Sequence, residues 1–178
     1  MARVKLAAMT NPATSSSALP GAGVMLSDER ASLEGFLDHY RAVLVNKVRG
    51  VSDADARRRL VPSATTLGGL LKHVACAEQR WFEYALPRVP FEPKSEEERL
   101  AEFGMTEDET VDELIEAYEE QCARSREVAA RYQLDDRGHR FGTDMTLRWI
   151  YLHMIEETAR HAGHADILRE QLDGATGD

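Results

Sequence analysis

The run from Leu147 to Arg169 constrains the chain most. It holds no proline and sorts into two strips when wound at 3.6 residues per turn. Leu147, Ile150, Met154, Thr158, Ala165, Leu168 and, just beyond, Leu172 form a stripe of medium and small residues suited to facing a bundle. His153, Glu157, His161 and His164 read as a second strip, because the step from His153 to His164 returns to within roughly 20° of its starting direction. A long helix with one apolar stripe is buried by lying against other long helices, so the run points to an all-α bundle.

Glu157 and His161, four residues apart, can offer a carboxylate oxygen and an imidazole nitrogen to one divalent cation. A third ligand must come from a facing helix. His73 is the candidate, because it interrupts the apolar segment Leu70-Leu71-Lys72-His73-Val74-Ala75-Cys76 where a histidine is otherwise costly. The same spacing also fits histidines on a solvated face, with Glu157 paired to Arg160 or Arg169, and spacing alone leaves both readings open. Arg160, about 100° from His161 around the helix, receives no role.

The composition is that of a soluble globular chain: 178 residues, 43% hydrophobic and 30% charged, enough for one domain with a formed core. A net charge of −9 argues against binding to nucleic acid or to an anionic membrane surface. No apolar run approaches the roughly 20 residues of a membrane span. The two cysteines, Cys76 and Cys122, form neither a CxxC nor a disulfide framework, and both fall inside helical patterns, which suits a reducing cytoplasm. Cys76 lies one turn after His73 and borders the same face. It reads as a small hydrophobe or as part of the site's edge.

Residues 1–24 are expected to form a flexible leader. Arg3 and Lys5 precede only Leu6-Ala7-Ala8-Met9, too short for the apolar core of a signal peptide, and a Ser-, Ala- and Gly-rich stretch follows. Met25 is an alternative start, and residues 25–178 form the expected domain. Ser27, with Asp28 and Glu29, is expected to cap a first helix carrying Leu33, Phe36, Leu37, Tyr40, Val43, Leu44 and Val48 and ending at Gly50. A short helical turn follows Ser52. Thr65 or Thr66 caps a second helix through Leu67, Leu70, Leu71, Val74, Ala77, Trp81 and Phe82, and Gly68-Gly69 near its start permits close approach of a neighbouring backbone. Trp81 and Phe82 read as core aromatics, with a pocket wall the alternative for Trp81. Residues 87–105, with Pro87, Pro90 and Pro93, are a long irregular crossover of the kind that forms pocket walls. Thr106-Glu107-Asp108-Glu109 has the pattern of a capping box opening a third helix that runs to about Tyr132. A polar linker over 133–143, holding His139, leads into the fourth. With no alternating strand pattern, the expected fold is a four-helix bundle with one long crossover.

Two segments of this pattern resemble the DinB/YfiT-like metal-binding four-helix bundle superfamily, over about Asp28 to Gly177. Thr66-Leu67-Gly68-Gly69-Leu70-Leu71-Lys72-His73-Val74 with Glu78-Gln79-Arg80-Trp81-Phe82 is similar to the segment bearing that family's first histidine ligand. His153-Met154-Ile155-Glu156-Glu157-Thr158-Ala159-Arg160-His161-Ala162-Gly163-His164 is similar to the segment bearing the other two. Many members read His-x-x-x-His there, followed by Arg-Gly-Gln. Here Glu157 stands first and Ala162-Gly163-His164 follows, a form that resembles the actinobacterial branch including mycothiol-dependent maleylpyruvate isomerase.

The resemblance implies a divalent metal, zinc or nickel, on His73, Glu157 and His161. It further implies mycothiol or a similar low-molecular-weight thiol as co-substrate, a small-molecule electrophile, and a homodimer. His153, one turn before Glu157, is the candidate for supporting a ligand or touching substrate. His164 stands where the family has glutamine and reads as a peripheral imidazole. Three functions remain in view: a thiol-dependent transferase, a metal-dependent hydrolase or isomerase on the same site, and a non-enzymatic dimeric interaction protein. No Ser-His-Asp set, phosphate loop or dinucleotide fingerprint supports another class.

Overall fold

The computed structural model describes residues 22–90, 92 and 94–177. The expected leader therefore lies outside the described residues except for Ala22–Val24, a single 3-10 turn. Asp28, one residue beyond the expected cap, opens α1 (Glu29–Val48), its carboxylate accepting from the Ala31 N–H at 2.8 Å. Ser52 caps the short α2 (Asp53–Ala56). Thr66 caps α3 (Leu67–Glu78), which runs on without a break into a π-helical segment, Gln79–Ala85.

The crossover contains a small helix, α4 (Glu96–Ala101), that the proline-rich composition did not suggest. The third long helix, α5 (Val111–Ala129), starts later than expected. Glu109 does accept from the Thr106 N–H at 2.7 Å, but this closes only a turn. The complete capping box is Thr110 with Glu113.

The expected polar linker is a hairpin, β1 (Arg137–Arg140) paired antiparallel with β2 (Thr143–Thr146). Phe141 and Gly142 both turn at positive φ, 52° and 73°, as a two-residue hairpin turn of the I′ type requires. Too short and polar to show alternation, the hairpin could not be seen in the sequence. Thr146 caps α6 (Leu147–Asp173), and Gly174 ends it in the left-handed conformation.

Helix directions follow from which ends meet. The start of α1 and the start of α6 share an ion pair, Glu29 with Arg148, and their ends share another, Lys47 with Asp166, so α1 and α6 run parallel. The start of α3 (Leu67, Leu70) and the start of α5 (Val111, Ile115) lie in one core cluster with the ends of α1 and α6, Val48 and Leu168. Leu37, Phe82, Ala129 and Leu147 meet in a second cluster toward the other end. The order is thus up, down, down, up. Two parallel neighbours in sequence, α3 and α5, can be joined only by a chain that returns the length of the bundle, which is why the one long crossover falls there.

Between the two clusters lies a buried ion pair. Arg41 grips Glu78 through two parallel bonds, Nε to Oε1 at 2.8 Å and Nη2 to Oε2 at 2.6 Å, with Glu78 0% exposed. The crossover passes directly over the start of α3. A Cβ at Gly69 would stand 1.8 Å from the Phe103 carbonyl oxygen, so glycine alone admits that backbone. The Thr66 hydroxyl donates to the same carbonyl at 3.3 Å. The hairpin closes equally tightly on the π-helical segment, where a Cβ at Gly138 would meet the Ala85 carbonyl oxygen at 2.5 Å.

Candidate metal centre

His73 comes from the middle of α3, and Glu157 and His161 come from successive turns of α6. The three side chains are 14, 12 and 8% exposed, enclosed yet reachable. Glu157 Oε1 lies 3.0 Å from His73 Nε2 and 3.2 Å from His161 Nε2. One donor atom from each of the three falls within 4.8 Å of the others. The imidazoles meet at 4.8 Å between ring centroids, 70° apart in plane.

This arrangement corrects the two-strip reading of α6. His161 belongs among the buried residues of the inner face with Met154, Thr158 and Ala165. At 100° per residue it stands only about 20° from Met154 and about 40° from Ala165, and Glu157 is the residue at the strip's edge. Arg160 also needs correction, because its Nη1 lies 3.1 Å from Glu157 Oε2. Its offset matters relative to Glu157, three residues before it, rather than to His161. The carboxylate therefore offers Oε1 to the two rings and Oε2 to Arg160. The His161 and then the His73 contacts hold its pKa well below the usual carboxylate range, against the opposing effect of burial.

The donor set, two imidazole nitrogens and one carboxylate oxygen, suits a divalent ion. Each neutral imidazole carries a single N–H. If both rings spend it on Glu157, the Nδ1 lone pairs of His73 and His161 stay buried without hydrogen-bond partners. If both Nε2 atoms face a cation instead, the protons move to Nδ1. There, Glu102 Oε2 waits 3.6 Å from the His73 nitrogen.

Glu102 is itself 6% exposed and fixed by Arg80 Nη2 at 3.2 Å and Lys94 Nζ at 2.9 Å. Beside it Phe103 stacks on His73 with centroids 4.1 Å apart and planes 21° apart. Glu102 and Phe103 come from the crossover and were missed in the sequence. Only the Gly68-Gly69 pair hinted that some backbone approaches here.

The other expected residues fall around this centre. His153 stacks on Trp149 (5.1 Å, 12°) and meets Trp81 edge-on at 4.7 Å. Among the described residues no hydrogen bond ties it to His73, Glu157 or His161. Burial keeps its imidazole below the usual pKa. Trp81 thus belongs to a pocket wall while Phe82 fills the core. His164 is an exposed rim residue, 5.4 Å from the His161 ring. Cys76 is half-buried, its thiol pushed up by burial and then by the Glu102 charge, so it borders the layer behind His73. No described helix is long and apolar enough to cross a membrane.

Compared with known proteins, residues 32–174 match the sequence model of a family described as mycothiol-S-transferase, a span that includes His73, Glu157 and His161. No curated protein matches the chain.

Proposed function

The chain belongs to the mycothiol-S-transferase family, and from that premise we propose that it transfers a low-molecular-weight thiol, mycothiol, to a small electrophile. In this reading His73, Glu157 and His161 hold a zinc or nickel ion. The observation that carries the proposal is the convergence of two imidazole nitrogens on one carboxylate oxygen, at 3.0 and 3.2 Å. When bound, a divalent ion supplies Lewis acidity that lowers the pKa of a nearby thiol, making sulfur a strong nucleophile near neutral pH.

The protein's own residues set the conditions. Two neutral imidazoles and one carboxylate leave a divalent ion with a net charge of about +1, so its acidity is retained. Glu102 Oε2 sets a negative charge 3.6 Å from His73 Nδ1, which favours the tautomer protonated there and leaves the Nε2 lone pair facing the site. Arg160 engages Glu157 Oε2 and keeps Oε1 turned to the rings. Phe103 covers one face of His73 and excludes water from it. Trp81, Trp149 and His153 form an aromatic wall one helical turn from Glu157, against which an electrophile can lie. In the transfer the thiol proton leaves to solvent, sulfur bonds the electrophilic carbon, and the leaving group departs with its bonding pair. The two free cysteines suit a reducing compartment, and on that ground we place the protein in the cytoplasm.

Incubation of the protein with mycothiol and 1-chloro-2,4-dinitrobenzene, following thioether and chloride release, tests the proposal. Turnover should require added zinc or nickel in chelator-treated protein and vanish in His161→Ala. Undiminished turnover in that variant would overturn the assignment.

A further inference from the structure

Next to the metal centre the bundle, crossover and hairpin enclose a cavity of about 680 Å³. Arg80, Arg88, Lys94, Arg99 and Arg140 line it, and among the described residues no carboxylate does. Such a gathering of cations is unexpected on a chain of net charge −9. One carboxylate, Glu102, is shared by Arg80 and Lys94 from behind the wall, and Asp144 serves Arg88 at 3.3 Å. Burial and then the Arg80 charge press the Arg140 guanidinium below its usual pKa, as expected where like charges face one another.

Two tight turns shape the same wall: Arg88 (φ 60°) follows the end of the π-helical segment and Phe141 (φ 52°) turns the hairpin, and both line the cavity. Val89, Pro90 and Phe141 add apolar surface beside the cations.

We propose that this cavity binds the carboxylate end of a small organic acid, and that the electrophile of the transfer reaction is such an acid. Guanidinium groups match a carboxylate through two parallel N–H bonds, and the apolar residues suit its carbon skeleton. Arg80 follows His73 by two helical turns on the same face, a rise of about 10 Å. The acid group and the reacting carbon of the ligand are therefore separated by several bonds. The anion site stands on the cavity alone, whereas its assignment to the electrophile rests on the thiol-transfer reading.

Benzoate and benzamide share a shape and differ in charge, so titrating both by calorimetry tests the site, with inorganic sulfate as a third probe. The proteins compared are the wild type, Arg99→Ala, the Arg99→Ala/Arg140→Met pair and His161→Ala. Benzoate should bind saturably, with benzamide, sulfate and the paired variant each weaker by about tenfold or more, the loss of one charge-assisted contact or of the apolar one. Arg99→Ala alone, on the exposed α4, should weaken benzoate measurably without altering the melting temperature. His161→Ala should bind benzoate as the wild type does. Absent benzoate binding, equal binding of benzamide, or indifference to both arginine changes would overturn the site. Loss of benzoate in His161→Ala would place the acid at the metal ligands and overturn it equally. Benzoate bound as expected in a protein that transfers no thiol would remove only the assignment to the electrophile.

Discussion

Replacing Gly69 by alanine tests whether the crossover is what holds His73 in place. In an open helical position the change stabilises by about 0.5–1 kcal/mol, through helix propensity and unfolded-state entropy. Gly163, where an added methyl group would meet nothing within 4 Å, provides the control, and Gly163→Ala should raise the melting temperature. At Gly69 the new methyl would stand 1.8 Å from the Phe103 carbonyl oxygen and 2.1 Å from its carbon, both backbone atoms that no rotamer change can clear. The crossover must retreat by more than 1 Å to reach the 3.0 Å that real contacts respect. Overpacking of this kind costs about 1–3 kcal/mol, which exceeds the propensity gain. The expected net loss, at about 2–4 °C per kcal/mol for a chain of this size, is a melting temperature lower by a few degrees in metal-free protein. The same retreat withdraws Phe103 from its 4.1 Å stack on His73 and Glu102 from the 3.6 Å approach to Nδ1. Loss of such a partner typically weakens a metal site about 10–100-fold. Calorimetric melts and competition against a chromophoric chelator read the two effects. A Gly69→Ala protein that melts at or above the wild type, with undiminished zinc affinity, would refute the reasoning.

Other outcomes follow from the same geometry. Glu157→Gln should weaken zinc binding without abolishing it, because one neutral oxygen remains while the charge facing both rings and Arg160 is lost; equal affinity by chelator competition would remove the carboxylate from the ligand set. Arg41→Met should cost about 3–5 kcal/mol in urea unfolding by leaving the Glu78 charge buried alone, Glu78→Gln should cost less because Arg41 keeps the Asp38 carboxylate at 2.7 Å, and Arg41→Met combined with Glu78→Leu should recover most of the Arg41→Met loss. Additive losses in the double variant would contradict the pairing. Burial, and then the Glu78 charge, pushes the Cys122 thiol up to about 12. Ellman's reagent at pH 8 should therefore leave Cys122 unmodified in the native protein while Cys76 reacts slowly; rapid labelling of both would contradict the burial of Cys122.

The helices and the cluster of His73, Glu157 and His161 were legible because their signals are local and periodic. His73 stood out as a polar residue inside an apolar run, and Glu157 and His161 stood out by a spacing of one turn. The grouping of His161 with His153, Glu157 and His164 as a strip apart from the apolar stripe failed because four polar residues were grouped by type, although its angle puts it beside Met154 and Ala165. Glu102 and Phe103 were not legible. They act on His73 from across the crossover, and in the sequence they sit in a charged, proline-flanked stretch like any exposed connection. Gly68-Gly69 marked the place of that approach but not its partner. The hairpin over 137–146 failed for want of length, since four-residue polar strands show no alternation. Arg41 and Glu78 were invisible as a pair because only the assembled bundle brings α1 and α3 together there.

The central claim is that His73, Glu157 and His161 hold a divalent ion that serves a thiol. Elemental analysis of protein purified without added metal or chelator, followed by calorimetric titration with mycothiol, tests it most directly. The account predicts about one zinc or nickel per chain, absent from folded, helical His73→Ala and His161→Ala, and mycothiol binding that disappears with the metal. Stoichiometric metal retained by both variants, or a wild type that takes up neither zinc nor nickel when they are supplied, would contradict it. Metal bound without any affinity for mycothiol would contradict the transferase reading and leave a site that activates water for hydrolysis or isomerisation.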